Sequence, residues 1–424
     1  MRKLTFTMKK YILSVVFLLS VMALHGQTTK QYVLDNPKCT SGHYSTYPLP
    51  EGVCTAAPDG YVPFYMTHYG RHGSRYHTSN SAHDNAYNVL KAAKDAKLLT
   101  PLGESVFKRV CAMRDDAMGM EGSLTFVGVD EHRGIAERMY ASFPEIFADN
   151  AVINCRSTEA PRCILSMAAN NERLRELNPS LRISRTSNKA NEVSMRSEKY
   201  MHDNLKDMGS VKKEILAELD PSAFIGRIFK DGISSQLDKK EQLSFMRHMY
   251  ALFQIAGCVA HTGVDFDDIF VPEELFILWN GNNASHYMQC ANSVKHGKGV
   301  LGDAKPLLKD ILDKADEVLA GSGVSAHLRF GHDIGLAPLA ALLDVNGLGV
   351  HTDNAAEVYK QWAEFQAMPM GANLQFVFYR NAKNNILVKV LLNEVEAQLP
   401  ALKSVSGPYY RWKDVRQYFV GKLK

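Results

Sequence analysis

The residues Tyr69 to Tyr76 read YGRHGSRY and join two guanidinium groups to an imidazole within five positions. Arg71 and Arg75 flank His72, and their planar, permanently charged forks match the oxygens of a phosphoryl group. A neutral imidazole between two such cations can act as a nucleophile towards phosphorus. Gly73 lets the backbone turn sharply and come close to an anion. Far along the chain, His332–Asp333 follows Gly331 and a strand-like run, AHLRF. A carboxyl there can protonate a leaving alkoxide while the neighbouring imidazole binds a phosphoryl oxygen. Two further His-Asp pairs, His83–Asp84 and His202–Asp203, lack that setting and read as surface helix positions. A transferring phosphoryl spreads charge over several oxygens and calls for a third arginine. Arg162 at a helix start is the candidate, and Arg156 on a strand competes with it.

These groups need elements that bring them together. Tyr61 to Thr67 alternates Val62, Phe64 and Met66 and predicts a strand that ends just ahead of Arg71. AVINCRST predicts a second strand and PRCILSMAANNERLREL its following helix, with LRISRTSN a third strand. Thr100–Pro101 opens a helix through VFKRVCAMRDDAM, and LTFVGVDEHRGIAERMYASFPEIF carries another, with Ile135 and Met139 on one face and Glu131 and His132 in structural roles. ANLQFVFYRN and ILVKVLLN, separated by AKNN, predict an antiparallel hairpin. Residues 192–317 are mainly helical, and the stripe MYALFQIAGCVA with Trp279 and Trp362 reads as core. Strands alternating with helices on both sides of a helical insert predict a three-layer α/β/α core (27–191 and 318–424) with an inserted helical cap domain. In such cores ligands sit at the carboxyl ends of strands. That places RHGSR, the NCRST…Arg162 segment and FGHD in one neighbourhood.

The 424 residues suffice for a large core, and the composition is that of an ordinary globular protein. MRKLTFTMKK, the short apolar run YILSVVFLLSVMAL and HGQ have the order of a secretory leader, predicting a signal peptide over 1–26 and an exported chain. No other segment is apolar and long enough to span a membrane. Four of the 49 Lys and Arg residues fall in that leader, which brings the rest level with 45 Asp and Glu. A near-neutral chain argues against a nucleic-acid partner. Seven cysteines in an exported chain allow disulfides. Cys39–Cys54 is the favoured pair, Cys258–Cys290 the second, and Cys111 is left over. Neither a CxxC nor a His/Cys cluster at zinc spacing is present.

YGRHGSRY, RSTEAPRCILSM and the late GHD together resemble the histidine acid phosphatases, the phosphatase branch of the phosphoglycerate-mutase-like superfamily. The resemblance covers most of the chain beyond the leader. RHGSRY is most similar to the multiple inositol polyphosphate phosphatases and phytases. His77 departs from the family pattern RHGxRxP, and His332–Asp333–Ile334 departs from the His-Ala-Glu of that subgroup, agreeing instead with the wider acid-phosphatase group. The usual HDxN continuation becomes Gly335.

The resemblance implies a phosphoglycerate-mutase-like fold and a two-step displacement with neither metal nor cofactor. His72 is then the nucleophile, Asp333 the proton donor, and Arg71, Arg75, Arg162 and His332 hold the phosphoryl oxygens. Tyr76, His77, Lys199, His202 and Arg196 are candidates for further phosphates of the substrate. The implied partner is a small-molecule phosphomonoester, with inositol polyphosphates leading. A broad acid phosphatase on sugar phosphates or nucleotides is the alternative, and an inactive envelope protein that binds phosphorylated ligands is the reading from another class. The oligomeric state is left open.

Overall fold

The computed structural model describes residues 28–52, 54–197, 199–233 and 236–424. The expected leader, 1–26, lies outside the described residues. Among the described residues, eight strands form one sheet: β1 (Val62–Arg71), β2 (Val152–Ser157), β3 (Arg182–Ser187), β4 (Val324–Gly331), β5 (Asn373–Arg380), β6 (Ile386–Leu392), β7 (Val395–Ala397) and β8 (Tyr409–Arg411). Their order is β3-β2-β4-β1-β5-β6-β7, with β8 also on β6. β1 runs parallel to β4 and antiparallel to β5. β5 and β6 form the expected hairpin. Its turn uses Asn384 at φ +59° and the Asn381 carboxamide oxygen, which accepts from the Lys383 and Asn385 amides.

The helices used below are α1 (Ser81–Asp95), α2 (Pro101–Ala117), α3 (Phe126–Ser142), α4 (Pro161–Leu177), α5 (Lys199–Met208), α6 (Ser210–Leu216), α7 (Lys239–Ala256), α8 (Pro272–Cys290), α9 (Lys305–Leu319), α10 (Asp333–Leu342), α11 (Glu364–Ala367) and α12 (Trp412–Leu423). The sheet is covered on both faces, which is why β1 is buried from Tyr65 to Arg71 rather than alternately. Tyr65 and Tyr69 point into a cluster with Leu308 and Ile311 of α9, Leu336 and Leu339 of α10, and Phe419 of α12. Met66 points the other way, onto Ile135 and Met139 of α3 and Met167 of α4. These are the three layers that the strand and helix alternation predicted.

A separate apolar cluster unites α1 and α2 with α7 and α8 through Leu90, Val110, Phe245, Phe253 and Trp279. Local chemistry fixes where these helices start, at Thr100 as the sequence signals. The Thr100 hydroxyl accepts from Gly103 N–H with Pro101 in the first turn, and Asp238 and Glu241 cap α7 reciprocally. Trp279 and Trp362 are both buried, as expected.

Three expectations need correction. β1 continues to Arg71 instead of ending near Thr67, because its parallel pairing with β4 persists to Arg71 opposite Gly331. The disulfides do not form, and all seven cysteines are free thiols. Cys39 packs on the helical cluster while Cys54 Sγ sits 3.1 Å from Lys389 Nζ on the sheet. Cys258 and Cys290 belong to two different apolar clusters. His83, expected on a helix surface, is buried with its ring against His77.

Candidate active site

β1, β4 and β2 lie side by side and end together, so the three chemistry-bearing segments leave the sheet at one place. His72 N–H donates to Gly331 O (2.9 Å), which seats His72 beside His332. Their ring centroids are 5.7 Å apart. Next along, Thr158 N–H donates to Phe330 O (3.1 Å), and the chain then turns into α4, whose second residue is Arg162. Three distant stretches of sequence thereby face one point.

The His72 imidazole has a defined tautomer. Its Nδ1 lies 2.9 Å from the Gly73 carbonyl oxygen, which can only accept, so Nδ1 carries the proton and Nε2 keeps its lone pair. Burial pushes the His72 pKa well below its usual value, and Arg71, Arg75, His332 and Arg162 push it further. The ring therefore stays neutral in acid.

Arg71 is completely buried. Its Nη1 donates to His43 O (2.5 Å) and Met368 O (2.7 Å), and its Nη2 pairs with Asp333 Oδ2 at 2.7 Å. Arg75 donates to Tyr76 O (2.9 Å) and lies over the Tyr44 ring. Arg162 Nη2 approaches His332 Nδ1 (3.4 Å), and His332 Nε2 is 3.1 Å from the Thr158 hydroxyl. A guanidinium only donates, so His332 holds its proton on Nε2 and gives it to Thr158. The competitor Arg156 is drawn away to Asp310, which also takes Arg329 Nε at 2.7 Å. Of the two arginines, only Arg162 stands beside His332.

Asp333 is the first residue of α10, and Ile334 N–H donates to its Oδ1 (2.9 Å). Burial alone would raise its pKa. Arg71, followed by His43, His72 and His332, outweighs burial and holds the carboxyl well below its usual range. The site thus contains an ionised carboxylate among cations.

Backbone close approach fixes the loop after β1. A Cβ on Gly73 would fall 2.5 Å from Gly128 O, so the loop and the start of α3 meet backbone to backbone. Glu131 of α3 then accepts from Ser74 N–H (2.7 Å), Ser74 Oγ (2.7 Å) and Tyr47 N–H (2.8 Å). His132 is buried against Phe330. Glu131 braces the loop and His132 packs against β4, structural roles as the sequence suggested. Gly335 has a comparable reason: a Cβ there would lie 2.2 Å from Tyr69 Oη. That hydroxyl accepts from His332 N–H (3.1 Å) and donates to Met195 O (2.8 Å). The departure from HDxN is accommodated by a tyrosine that takes the space.

The proposed specificity residues disperse. Tyr76 Oη donates to Asp116 (3.0 Å), and His77 Nε2 donates to Ala251 O (3.2 Å), which ties the loop to α7. Lys199 and His202 are exposed on α5. Arg196 bonds Glu192 at 3.3 Å and contributes to the low pKa of His332, after burial. Sequence reasoning missed Thr158, Tyr69 as a positioning hydroxyl, and a group formed by half-buried His43 and His286 with buried Glu364. Glu364 is fully buried and pairs with both imidazoles, His43 at 3.5 Å and His286 more closely. Gly42, at φ +62°, leaves room for it, since a Cβ would fall 1.9 Å from Glu364 Oε1. No local motif marks these residues, because their partners are some 80 to 320 positions away.

No protein-family model matches the chain, and a search of curated proteins finds no relative. Solved structures do match. The multiple inositol polyphosphate phosphatase of Bifidobacterium longum in complex with inositol hexasulfate aligns with a TM-score of 0.77 at 18% identity, over 91% of this chain and 98% of that one. The phytase from D. castellii aligns at 0.67 and 14% identity, over 91% and 85%. The phytase from Citrobacter braakii aligns at 0.52 and 15% identity, over 85% and 98%. At these identities the likeness is one of fold, and the fold is that of the histidine phosphatases.

Proposed function

We propose that this chain is an exported histidine phosphatase that hydrolyses phosphomonoesters through a phosphohistidine, with inositol polyphosphates as its leading substrates. One observation carries the reading: the His72 Nε2 lone pair converges with Arg71, Arg75, Arg162, His332 and Asp333 at three adjacent strand ends. In the first step Nε2 attacks phosphorus and the bond to the ester oxygen breaks. The departing oxygen keeps that electron pair and takes the proton of Asp333. In the second step a water attacks phosphorus, Asp333 takes its proton, and the phosphorus–nitrogen bond breaks to release inorganic phosphate. The arginines neutralise the oxygens in both transition states, and the bound phosphoryl charge favours a protonated His332 that donates to them as well.

Substrate itself supplies what Asp333 lacks. A unit charge about 5 Å away at an effective dielectric of about 20 is worth about 3 kcal/mol, roughly two pKa units. A bound phosphoryl dianion offsets the arginines by that order and raises the Asp333 pKa back towards its usual range. The fold shared with phytases, and with a phosphatase crystallised with inositol hexasulfate, supports the substrate class. The leader-like N-terminus supports export.

The deciding assay is phosphate release from inositol hexakisphosphate and from an aryl monophosphate, across acidic to neutral pH. His72→Ala should abolish both. Wild-type enzyme quenched in base during turnover should carry acid-labile, base-stable phosphate. Undiminished turnover by His72→Ala would sink the reading.

A further inference from the structure

Between α6, α7 and α8 the helical half encloses a cavity of about 260 Å³. Lys212, Arg247 and His248 reach it, with Gln254 and Asn282 adding amides, and no carboxylate is among its lining residues. Elsewhere the chain matches its cations to carboxylates, as in Arg109–Asp268, Arg133–Glu176 and Lys295–Asp207. Lys212 and Arg247 make no hydrogen bond or ion pair among the described residues. The Lys212 pKa is pushed down to about 8 by burial and then by the Arg247 charge, which outweigh the opposing Glu364 carboxylate. Lys212 is half-buried and Arg247 is exposed, and two like charges that line one space repel each other unless an anion lies between them.

The cavity adjoins the phosphoryl site. Gln254 Nε2 donates to Ser41 O (3.2 Å) and Tyr250 Oη to Thr40 O (2.6 Å). Two residues later, His43 O holds Arg71 Nη1. One short segment, 40–43, therefore bonds two residues that line the cavity and clamps Arg71.

We propose that this cavity is a second anion site that binds a phosphate dianion between Lys212 and Arg247. The dianion is either a remote phosphate of a polyphosphorylated substrate or free inorganic phosphate. The first source rests on the phosphatase reading, and the second does not.

The test compares wild type with Lys212→Met/Arg247→Gln, and uses Lys212→Arg/Arg247→Lys and a melting curve to control for folding. Titration calorimetry with inorganic phosphate should find two sites in wild type and in the charge-conserving variant, and one in the neutralised variant. An aryl monophosphate should keep its kcat/KM within about twofold. If the cavity takes a remote phosphate, kcat/KM for inositol hexakisphosphate should fall about tenfold, mostly through KM, the size of one charge-assisted contact. If it takes free phosphate, both substrates are unmoved while the second site is lost. One phosphate per wild-type chain, with kinetics that neutralisation does not shift, overturns the proposal. If wild type turns over neither substrate, the phosphatase reading falls and the stoichiometry alone decides the cavity.

Discussion

Replacing Asp333 by asparagine should separate affinity from turnover. The Asp333 carboxylate lies 2.7 Å from Arg71 Nη2 and is held ionised by the surrounding cations against the effect of burial. On the proposed reading it faces the phosphoryl dianion. Two unit charges about 5 Å apart at an effective dielectric of about 20 repel by about 3 kcal/mol, and the intervening arginines screen part of that. Asp333→Asn should therefore tighten inorganic phosphate about tenfold to a hundredfold at neutral pH, the range that 1.4 to 3 kcal/mol spans. The sign of the pH dependence follows. Bound phosphate raises the Asp333 pKa, so wild type takes up a proton on binding. The gap between the two proteins is full above the pKa of the complex and closes as pH falls below it. Turnover should move the other way: an amide neither donates the proton nor takes one from water, and loss of such a group costs about 10²- to 10⁴-fold. The loss should be largest for alkyl phosphates and smaller for phosphorylation by an aryl phosphate, whose leaving group needs less acid. Calorimetry at several pH values and steady-state kinetics on both esters measure this. Phosphate bound no more tightly at neutral pH, or alkyl phosphates hydrolysed at the wild-type rate, would refute the placement of Asp333 at the phosphoryl site.

Gly335→Ala should lower the melting temperature, with a cost of about 1 to 3 kcal/mol for the overlap with Tyr69 Oη and Met195 O. Tyr69→Phe removes one of those atoms, so the double variant should lose less than the sum of the singles in a double-mutant cycle. Glu364 is buried beneath Arg71's clamp with its pKa brought down to about 2; burial opposes that shift, and His286 and His43 drive it. A carboxyl depressed in the folded state stabilises above its unfolded pKa and loses that contribution as pH falls from about 4.5 towards 2, about 3 kcal/mol in all. Chemical denaturation over that range should show the loss in wild type and a flatter profile in Glu364→Gln. Thiol titration in denaturant without reductant should find all seven cysteines reactive, and reductant should leave the melting temperature unchanged.

The amino-acid sequence alone determined the local chemistry and the layers. RHGSR and GHD carry residue types whose spacing suits phosphoryl transfer, and strands alternating with helices leave few ways to bury both faces of β1. Tertiary structure decided everything that depends on a partner far along the chain. It preferred Arg162 over Arg156 because Asp310, on a helix across the sheet, claims the latter. It fixed His72 and His332 in defined tautomers through Gly73, Thr158 and Arg162. It kept Cys39 from Cys54 although a short loop joins them, since the helical cluster takes one and the sheet the other. It gave Gly335 of α10 its reason in Tyr69, which comes from β1. Residue type and period act within a few positions, whereas hydrogen-bond partners, screening and close backbone approach exist only once β1, β2 and β4 lie side by side.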